Sequence, residues 1–437
     1  MVPEIDKHIG IEVYSTPITT RPDASIRYRD DSFIVEEVID LDPSSISWTH
    51  DKIHRYALFR LRKRGIDTIH ALKEIRLEYN IRLKVLGLKD ACASTTQYAI
   101  AGAKESSKVI KLLHNNGILS TKHCTLEFMG YTESMISKRY LLGNTFYIKL
   151  TVKSNIQHLI DTINMVKEYV SSKRVANFYG YQRFGSIRAV THLVGKAIVK
   201  RMFDDAVNIL LTYTTEYESR EHRGIRLTLR NDGLSKELIE SIPYTMDLER
   251  VVAKELLNNR DPIRALRALP IEVRRLFVEA YQAYIFNRTL SKALREGYDI
   301  SRVFKDDLCF SKSNRGLGEI KVADSCDDNA IVAVPLVGYA LRPKGRFGML
   351  LQDILKEEGI NSKDFYIKEM QEVSLEGGFR PAPLMPLSDI EYDVIGYDNN
   401  NNSNSSIALR FGLHKGSYAT ILLREIIKPT NPFLQGF

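Results

Sequence analysis

This sequence predicts a mixed α/β fold interrupted by an inserted, more helical segment. Three observations carry that expectation. Strand-period and helix-period stretches alternate up to about residue 188, longer helical periods follow, and strand–turn texture resumes near residue 376. At 437 residues the chain exceeds what a single hydrophobic core usually holds, so more than one domain is expected. No internal repeat is visible.

In chain order, "SFIVEEVID" from Ser32 reads as a strand entered through the turn residues Asp30 and Asp31. "YALFRLRKRG" is a second strand, ending at Gly65. Asp67 is placed to cap a helix across Ile69, Leu72 and Ile75, because its carboxylate can accept from the first-turn N–H groups. "IRLKVLGLKD" then returns as a strand. "TFYIKLTVK" puts Phe146, Ile148, Leu150 and Val152 on one face and Tyr147, Lys149 and Lys153 on the other. A helix capped by Ser154 or Asn155 comes next, with Ile156, Leu159, Ile160, Ile163 and Val166 in one stripe.

Beyond residue 188, Val273, Leu276, Phe277, Ala280, Tyr284 and Ile285 make a helix face, and "IVAVPLVGY" reads as a buried strand. The Gly/Pro-rich "EGGFRPAPLMP" returns the chain to strands. "IEYDVIGYD" and "SIALRFGLH" flank the Asn/Ser tract 399–406, predicting a hairpin with a disordered, dispensable tip. "KGSYATILLREI" closes the chain as a turn and helix.

Lys plus Arg number 62 against 54 acids, a net charge of +8. Its distribution is more telling: "KIHRYALFRLRKR" and then Lys73, Arg76, Arg82, Lys84 and Lys89 form either a solvated face or the footprint of a nucleic-acid binder. Charge removal in the middle region, for example at Arg274 with Arg275, is expected to weaken any nucleic-acid grip more than chemistry. Cys92, Cys124, Cys309 and Cys326 have neither C-x-x-C nor zinc spacing and read as free thiols in a reducing compartment. "MVPEIDKHIG" has no apolar signal core, and "IVAVPLVGYAL" is too short to span a bilayer. A soluble, intracellular protein with no membrane partner is expected. No Walker, G-x-G-x-x-G or H-E-x-x-H motif appears, so neither a nucleotide cofactor nor a metal is expected.

Two stretches carry candidate chemistry. In "LGLKDACASTTQ", Asp90 follows a predicted strand at a Gly-containing loop, beside Lys89, whose charge favours the carboxylate form. The bland alternative is a turn whose Asp bonds its own backbone. In "NFYGYQRFG", Gly180 and Gly185 permit unusual backbone, while Phe178, Tyr179, Tyr181 and Phe184 offer ring faces. Asn177 and Gln182 offer donors and acceptors, and Arg183 a planar fork. Either this is an aromatic mini-core under a loop, or it is a pocket for an unstacked base.

These stretches resemble the TruD family of pseudouridine synthases, in its archaeal and eukaryotic-like branch. "NFYGYQRFG" is similar to the signature N-[YF]-[FY]-G-x-Q-R-F-G, and "GLKDACASTTQ" to G-x-K-D with its later T-x-Q. "SFIVEEV" resembles D-F-x-V-x-E, "LLGNTFYIKL" resembles G-N-x-F-x-I, and "GSYATILLREI" resembles the closing motif of the family. The resemblance implies an α+β protein: a pseudouridine-synthase mixed-sheet catalytic domain formed by 1–187 and 376–437, with an inserted α/β domain at 188–375. It implies that Asp90 is the catalytic aspartate. Arg27, Phe33, Glu36, Lys89, Asn177, Tyr179, Gln182 and Arg183 become substrate-binding positions, with Tyr179 stacking on the target base. Arg27 stands where relatives often carry lysine. Ala91 and Cys92 stand where relatives carry basic residues or histidine, which puts RNA contact there in doubt.

The activity implied by the resemblance is isomerisation of a uridine in RNA, most readily tRNA at position 13 or anticodon position 35. The reaction breaks a C–N glycosidic bond, turns the base and forms a C–C bond, so no cofactor is called for. The carboxylate acts either as nucleophile at C1′ or as base at C2′. RNA is the expected partner, a monomer the expected state, and the cytoplasm (or the nucleus in a eukaryote) the expected location. The alternative is a non-catalytic RNA-binding or RNA-folding protein on the same scaffold. An aspartate-dependent hydrolase lacks the second carboxylate it would need.

Overall fold

The computed structural model describes residues 2–437 apart from 27–31, 52, 88, 90, 92, 113–116, 154, 186, 314–315, 328 and 396–404. Its strands are β1 (Ala24–Ile26), β2 (Phe33–Ile39), β3 (Ile46–Ser47), β4 (Tyr56–Lys63), β5 (Leu83–Val85), β6 (Ser94–Ala101), β7 (Ile118–Ser120), β8 (Cys124–Thr132) and β9 (Leu141–Val152). They continue as β10 (Leu308–Ser313), β11 (Gly316–Val322), β12 (Ile331–Leu336), β13 (Gly378–Pro381), β14 (Pro386–Ile395) and β15 (Ser405–His414). Among the described residues they form two sheets. The larger runs β14-β15-β9-β2-β6-β4-β8-β3, with β1 beside β9, β5 beside β6 and β7 beside β8. The smaller runs β11-β10-β12-β13. The chain is thus α+β with mixed sheets, as the sequence predicts; β2 and β6 pair in parallel while the other described pairs are antiparallel.

β9 is the axis of the larger sheet. It pairs with β2 on one side and β15 on the other, so the N-terminal and C-terminal parts of the chain meet in one ladder. The alternation read in "TFYIKLTVK" is realised: Ile148, Leu150 and Val152 are fully buried. Against that face pack the helices Ile156–Ser171, Ile271–Arg295 and Ala419–Ile427, contributing Leu159, Ile163, Phe286, Leu290, Leu422 and Ile426 to one apolar core. Asn155, the N-cap of the first, accepts from the Gln157 N–H at 2.8 Å. The middle of the chain is mostly helical and has its own apolar cluster, around Leu210, Val252, Phe277 and Leu351.

The chain ends are tied together by buried charge. Arg424 donates to Asp6 at 2.5 Å and to Glu425 at 3.2 Å, and Lys428 reaches Glu425 at 3.3 Å. Burial makes such a cluster costly unless every partner is present. Tyr181 also donates to Asp6, at 2.5 Å, which ties the stretch 177–185 to both ends of the chain. No described helix is long and apolar enough to cross a membrane.

Four expectations are corrected. In the helix Thr68–Tyr79, Thr68, Ala71 and Ile75 are buried and Ile69 is exposed. Residues 68, 71 and 75 share a face, and Ile69 is turned away from it. "IRLKVLGLKD" pairs only over Leu83–Val85, because the chain then leaves the sheet to form a loop. Cys309 and Cys326 are disulfide-paired rather than free, with Cα atoms 6.5 Å apart; the β10–β11 hairpin brings together two cysteines whose spacing announces nothing. Arg274 is buried and ion-paired with Glu372, so it is not available as an RNA contact. The flanks of the predicted hairpin pair as β14 and β15, with Ile395 opposite Ser406; most of its tip lies outside the described residues.

Candidate active site

Asp90 and Arg27 lie outside the described residues, so the site is built from what surrounds them. The loop leading to Asp90 is clamped at several points. Thr68 accepts from the Lys89 N–H at 2.8 Å, and its own N–H donates to the Lys89 carbonyl at 3.1 Å. Gln97, from "STTQ", is fully buried beside Thr68 Oγ1 at 3.1 Å and reaches the Gly87 carbonyl at 3.5 Å. The Lys89 ammonium donates to Asn144 Oδ1 and lies 3.4 Å from Glu37. Burial pushes the Glu37 carboxyl above its ordinary value, opposed by the Lys89 charge and by the Tyr98 N–H, which donates to it at 2.9 Å. A side chain at position 87 would crowd Glu37, since a Cβ there would sit 3.2 Å from its Oε1.

One glutamate is therefore at the loop, and it is Glu37. Glu36, the position singled out from the sequence, is exposed on the opposite face of β2. Adjacent strand residues point to opposite faces, so a one-residue difference decides which carboxylate meets Lys89. Phe33 is buried on the same face as Val35 and Glu37.

"NFYGYQRFG" resolves into anchors and one ring beside a cavity. Phe178, Tyr181 and Phe184 are core residues. Gly185 has φ 93°, and a Cβ on Gly180 would lie 2.6 Å from Thr420 Oγ1, so both glycines are required by geometry. Asn177 is buried. It accepts from Arg380 at 3.2 Å through Oδ1 and reaches the Pro381 carbonyl at 3.5 Å through Nδ2. Gln182 Oε1 accepts from Thr420 at 3.1 Å, and Arg183 pairs with Glu279 at 3.0 Å.

Tyr179 is held through its backbone and part of its ring. Asn287, in the helix Ile271–Arg295, accepts from its N–H at 2.8 Å and donates to its carbonyl at 3.1 Å. The Arg380 guanidinium lies 3.9 Å from its ring centre, with Phe286 edge-on at 5.5 Å and Tyr418 tilted at 5.9 Å. The ring borders a cavity of about 760 Å³ that Arg183, Arg275, Gln282, Tyr339 and Tyr366 also line.

The two halves of the site are joined through the sheet. Glu37 sits opposite Asn144, and Asn144 opposite Leu413, in one row across β2, β9 and β15. From the end of β15 the chain turns through Ser417, whose N–H donates to the His414 carbonyl at 3.0 Å, and delivers Tyr418 to Tyr179. The basic run near residue 60 contributes less than its charge implies. Arg60 and Arg62 lie 3.4 and 3.5 Å from Glu127, and the buried Lys63 donates to the Ile66 carbonyl. Among the described residues, no group of three or more His, Cys, Asp or Glu side chains is arranged to hold a metal ion.

Sequence reasoning missed Glu37, Asn144, Asn287 and Arg380. Asn287 had a signal, a polar residue on a mostly apolar helix face. Arg380 had none, since its partners lie about two hundred residues away.

The fold and this junction define a mixed-sheet α+β protein with a polar cavity beside Tyr179. The family model described as tRNA pseudouridine synthase D (TruD) matches residues 8–426, and the chain belongs to that family. It is 30% identical to a probable tRNA pseudouridine synthase D of Methanosarcina mazei, covering 99% of each chain. A protein of the same description from Pyrobaculum islandicum is also 30% identical, over 100% of this chain and 99% of the relative. The crystal structure of a putative tRNA pseudouridine synthase D from Methanosarcina mazei superposes with a TM-score of 0.74, at 29% identity and 99% coverage of both chains.

Proposed function

We propose that this chain is a pseudouridine synthase that isomerises one uridine of tRNA, at position 13 or at anticodon position 35, with Asp90 as its catalytic carboxylate. The observation that carries this reading is the loop before Asp90. Thr68 and Gln97 hold its backbone, while Glu37 and Asn144 hold Lys89. A loop whose backbone is held at that many points is suited to carry a reactive side chain. Full-length similarity to relatives described as tRNA pseudouridine synthases supports the substrate class.

In this reading the target nucleotide leaves its stack and its sugar meets Asp90. The carboxylate attacks C1′ or removes a proton at C2′. The N1–C1′ bond breaks, the base turns and C5 bonds to C1′; the carboxylate leaves C1′ or returns its proton to C2′, C5 loses its hydrogen as a proton, and N1 takes up one proton in its place. No atom is imported and nothing is oxidised, so the residues have only to hold, orient and move protons. Lys89, paired with Glu37 and donating to Asn144, holds the loop that carries Asp90. Tyr179 supplies a ring past which a base can turn, with Arg27, Phe33, Gln182 and Arg183 as further contacts. Residues 1–187 with 376–437 form the catalytic part and 188–375 the insertion. In support, the larger sheet draws its strands from residues 24–152 and 386–414.

Incubation with unmodified tRNA labelled with tritium at uridine C5 tests the proposal. Release of tritium, with a pseudouridine mapped at one position, is the expected outcome. Tight tRNA binding without release would instead favour a non-catalytic RNA-binding protein.

A further inference from the structure

We infer that the cavity beside Tyr179 holds a second nucleoside of the RNA strand, adjacent to the target uridine, packed against the Tyr339–Tyr366 pair. The inference rests on the functional reading above and adds a binding site to it.

The cavity is larger than one base requires. Its volume of about 760 Å³ lies in the upper part of the roughly 300–1,000 Å³ range of pockets that enclose a drug-sized ligand. Tyr179 forms part of its wall and is only 9% exposed, closed in by Arg380, Phe286 and Tyr418. Another part of the wall comes from a different stretch of the chain. Tyr339 and Tyr366 stand edge to face with centroids 5.4 Å apart, and Tyr366 is 45% exposed. Gln371 and Ser374 add an amide and a hydroxyl to that wall.

The charges say which part of a nucleotide goes where. Glu279 ties Arg183 at 3.0 Å and Arg275 at 3.3 Å, and Glu376 accepts from the Tyr339 hydroxyl at 3.3 Å. A free anion deep in the cavity would meet both carboxylates. A neutral base meets ring faces and amides, while a phosphate at the rim meets Arg275, whose side chain is half exposed. Aromatic face, amide edge and rim guanidinium together match an unstacked nucleoside on its backbone.

The test pairs two proteins with two kinds of RNA. Tyr366→Ala is compared with the unaltered protein on the tRNA substrate and on versions carrying an abasic residue at one position beside the target. With the unaltered protein, one such abasic position should lower kcat/KM by about tenfold or more, the usual worth of a base–aromatic stack. Tyr366→Ala should lose a similar factor on the complete RNA and then less than about twofold on the abasic one, since the contact is already gone. Tyr339→Ala should behave likewise. Tyr366→Phe, which keeps the ring, should stay near the unaltered rate. Because nearly half of Tyr366 is exposed, its variants should unfold within a few degrees of the parent temperature. Independent, multiplying losses would overturn the inference, as would insensitivity to every flanking abasic position while turnover is normal. No turnover by the unaltered protein would overturn the functional reading and this inference with it.

Discussion

The guanidinium of Arg380 lies 3.9 Å from the ring centre of Tyr179, and its nitrogens donate to the Asn177 carbonyl at 3.1 Å and the Asn177 side chain at 3.2 Å. One buried side chain thus fixes both the backbone and the ring of the segment 177–179. Arg380→Met keeps the apolar stem but leaves those acceptors unpaired, so stability should fall by about 1.5–3 kcal/mol, the worth of hydrogen bonds to a charged group. Arg380→Lys should recover only part of it, because an ammonium cannot lie flat on the ring while donating to two acceptors. Urea unfolding measures both; equal losses in the two variants would show that the planar fork is unimportant.

Glu36 and Glu37 give a sharp contrast between neighbours. Glu37→Gln removes the buried carboxylate beside Lys89 and should cost about 1–3 kcal/mol of stability, with a drop in kcat. Glu36→Gln, on the exposed face, should change stability by no more than about 0.5 kcal/mol. The reverse ranking would place the functional glutamate at position 36.

His192 predicts a dependence on pH. Burial, with a smaller contribution from the charge of His8, pushes its imidazole down to about 3. It packs flat against Tyr284 and edge-on to Phe184. The folded state therefore binds this proton less readily than the unfolded chain does. The resulting stability is fully present above the ordinary value, about 6.5, and is lost as pH falls from there toward about 3. His8, also lowered by burial, acts in the same direction. The unfolding free energy should decline between pH 7 and pH 5, and His192→Phe should flatten that decline. Denaturation curves at the two pH values check it; an unchanged slope in the variant would remove His192 as the cause.

At Tyr179 the ring and the hydroxyl can be separated. Tyr179→Phe should keep most of the turnover, since the contacts of this residue are made by its ring and backbone. Tyr179→Ala should lower kcat/KM by about 1–3 kcal/mol. If Phe proves as damaging as Ala, the hydroxyl takes part in the chemistry.

Much of this was legible in the sequence, for local reasons. The alternation in β9 and the caps at Asp67 and Asn155 depend on residues a few positions apart, and the β14–β15 pairing on two alternating stretches that flank one polar tract. The features that escaped are long-range. Arg380 meets Asn177 across about two hundred residues, Asn287 meets Tyr179 across 108, and Cys309 meets Cys326 only because a hairpin folds between them. The aromatic stretch itself was ambiguous because it is two things at once. Three of its rings fill the core, and Tyr179 alone borders the cavity. Composition cannot divide those roles; the backbone turn at Gly180 and Gly185 does.

The central claim rests on Asp90, and Asp90→Asn tests it most directly. The substitution keeps size and shape but removes the charge and most of the nucleophilicity, so both routes, attack at C1′ and proton removal at C2′, lose their agent. Tritium release from uridine-labelled tRNA should fall below detection. Affinity for that tRNA should stay within about tenfold, because phosphate contacts spread over many Lys and Arg side chains dominate binding. Release by a correctly folded Asp90→Asn protein at more than a few per cent of the parent rate would contradict the account, since a residue serving only as a turn is replaced well by Asn.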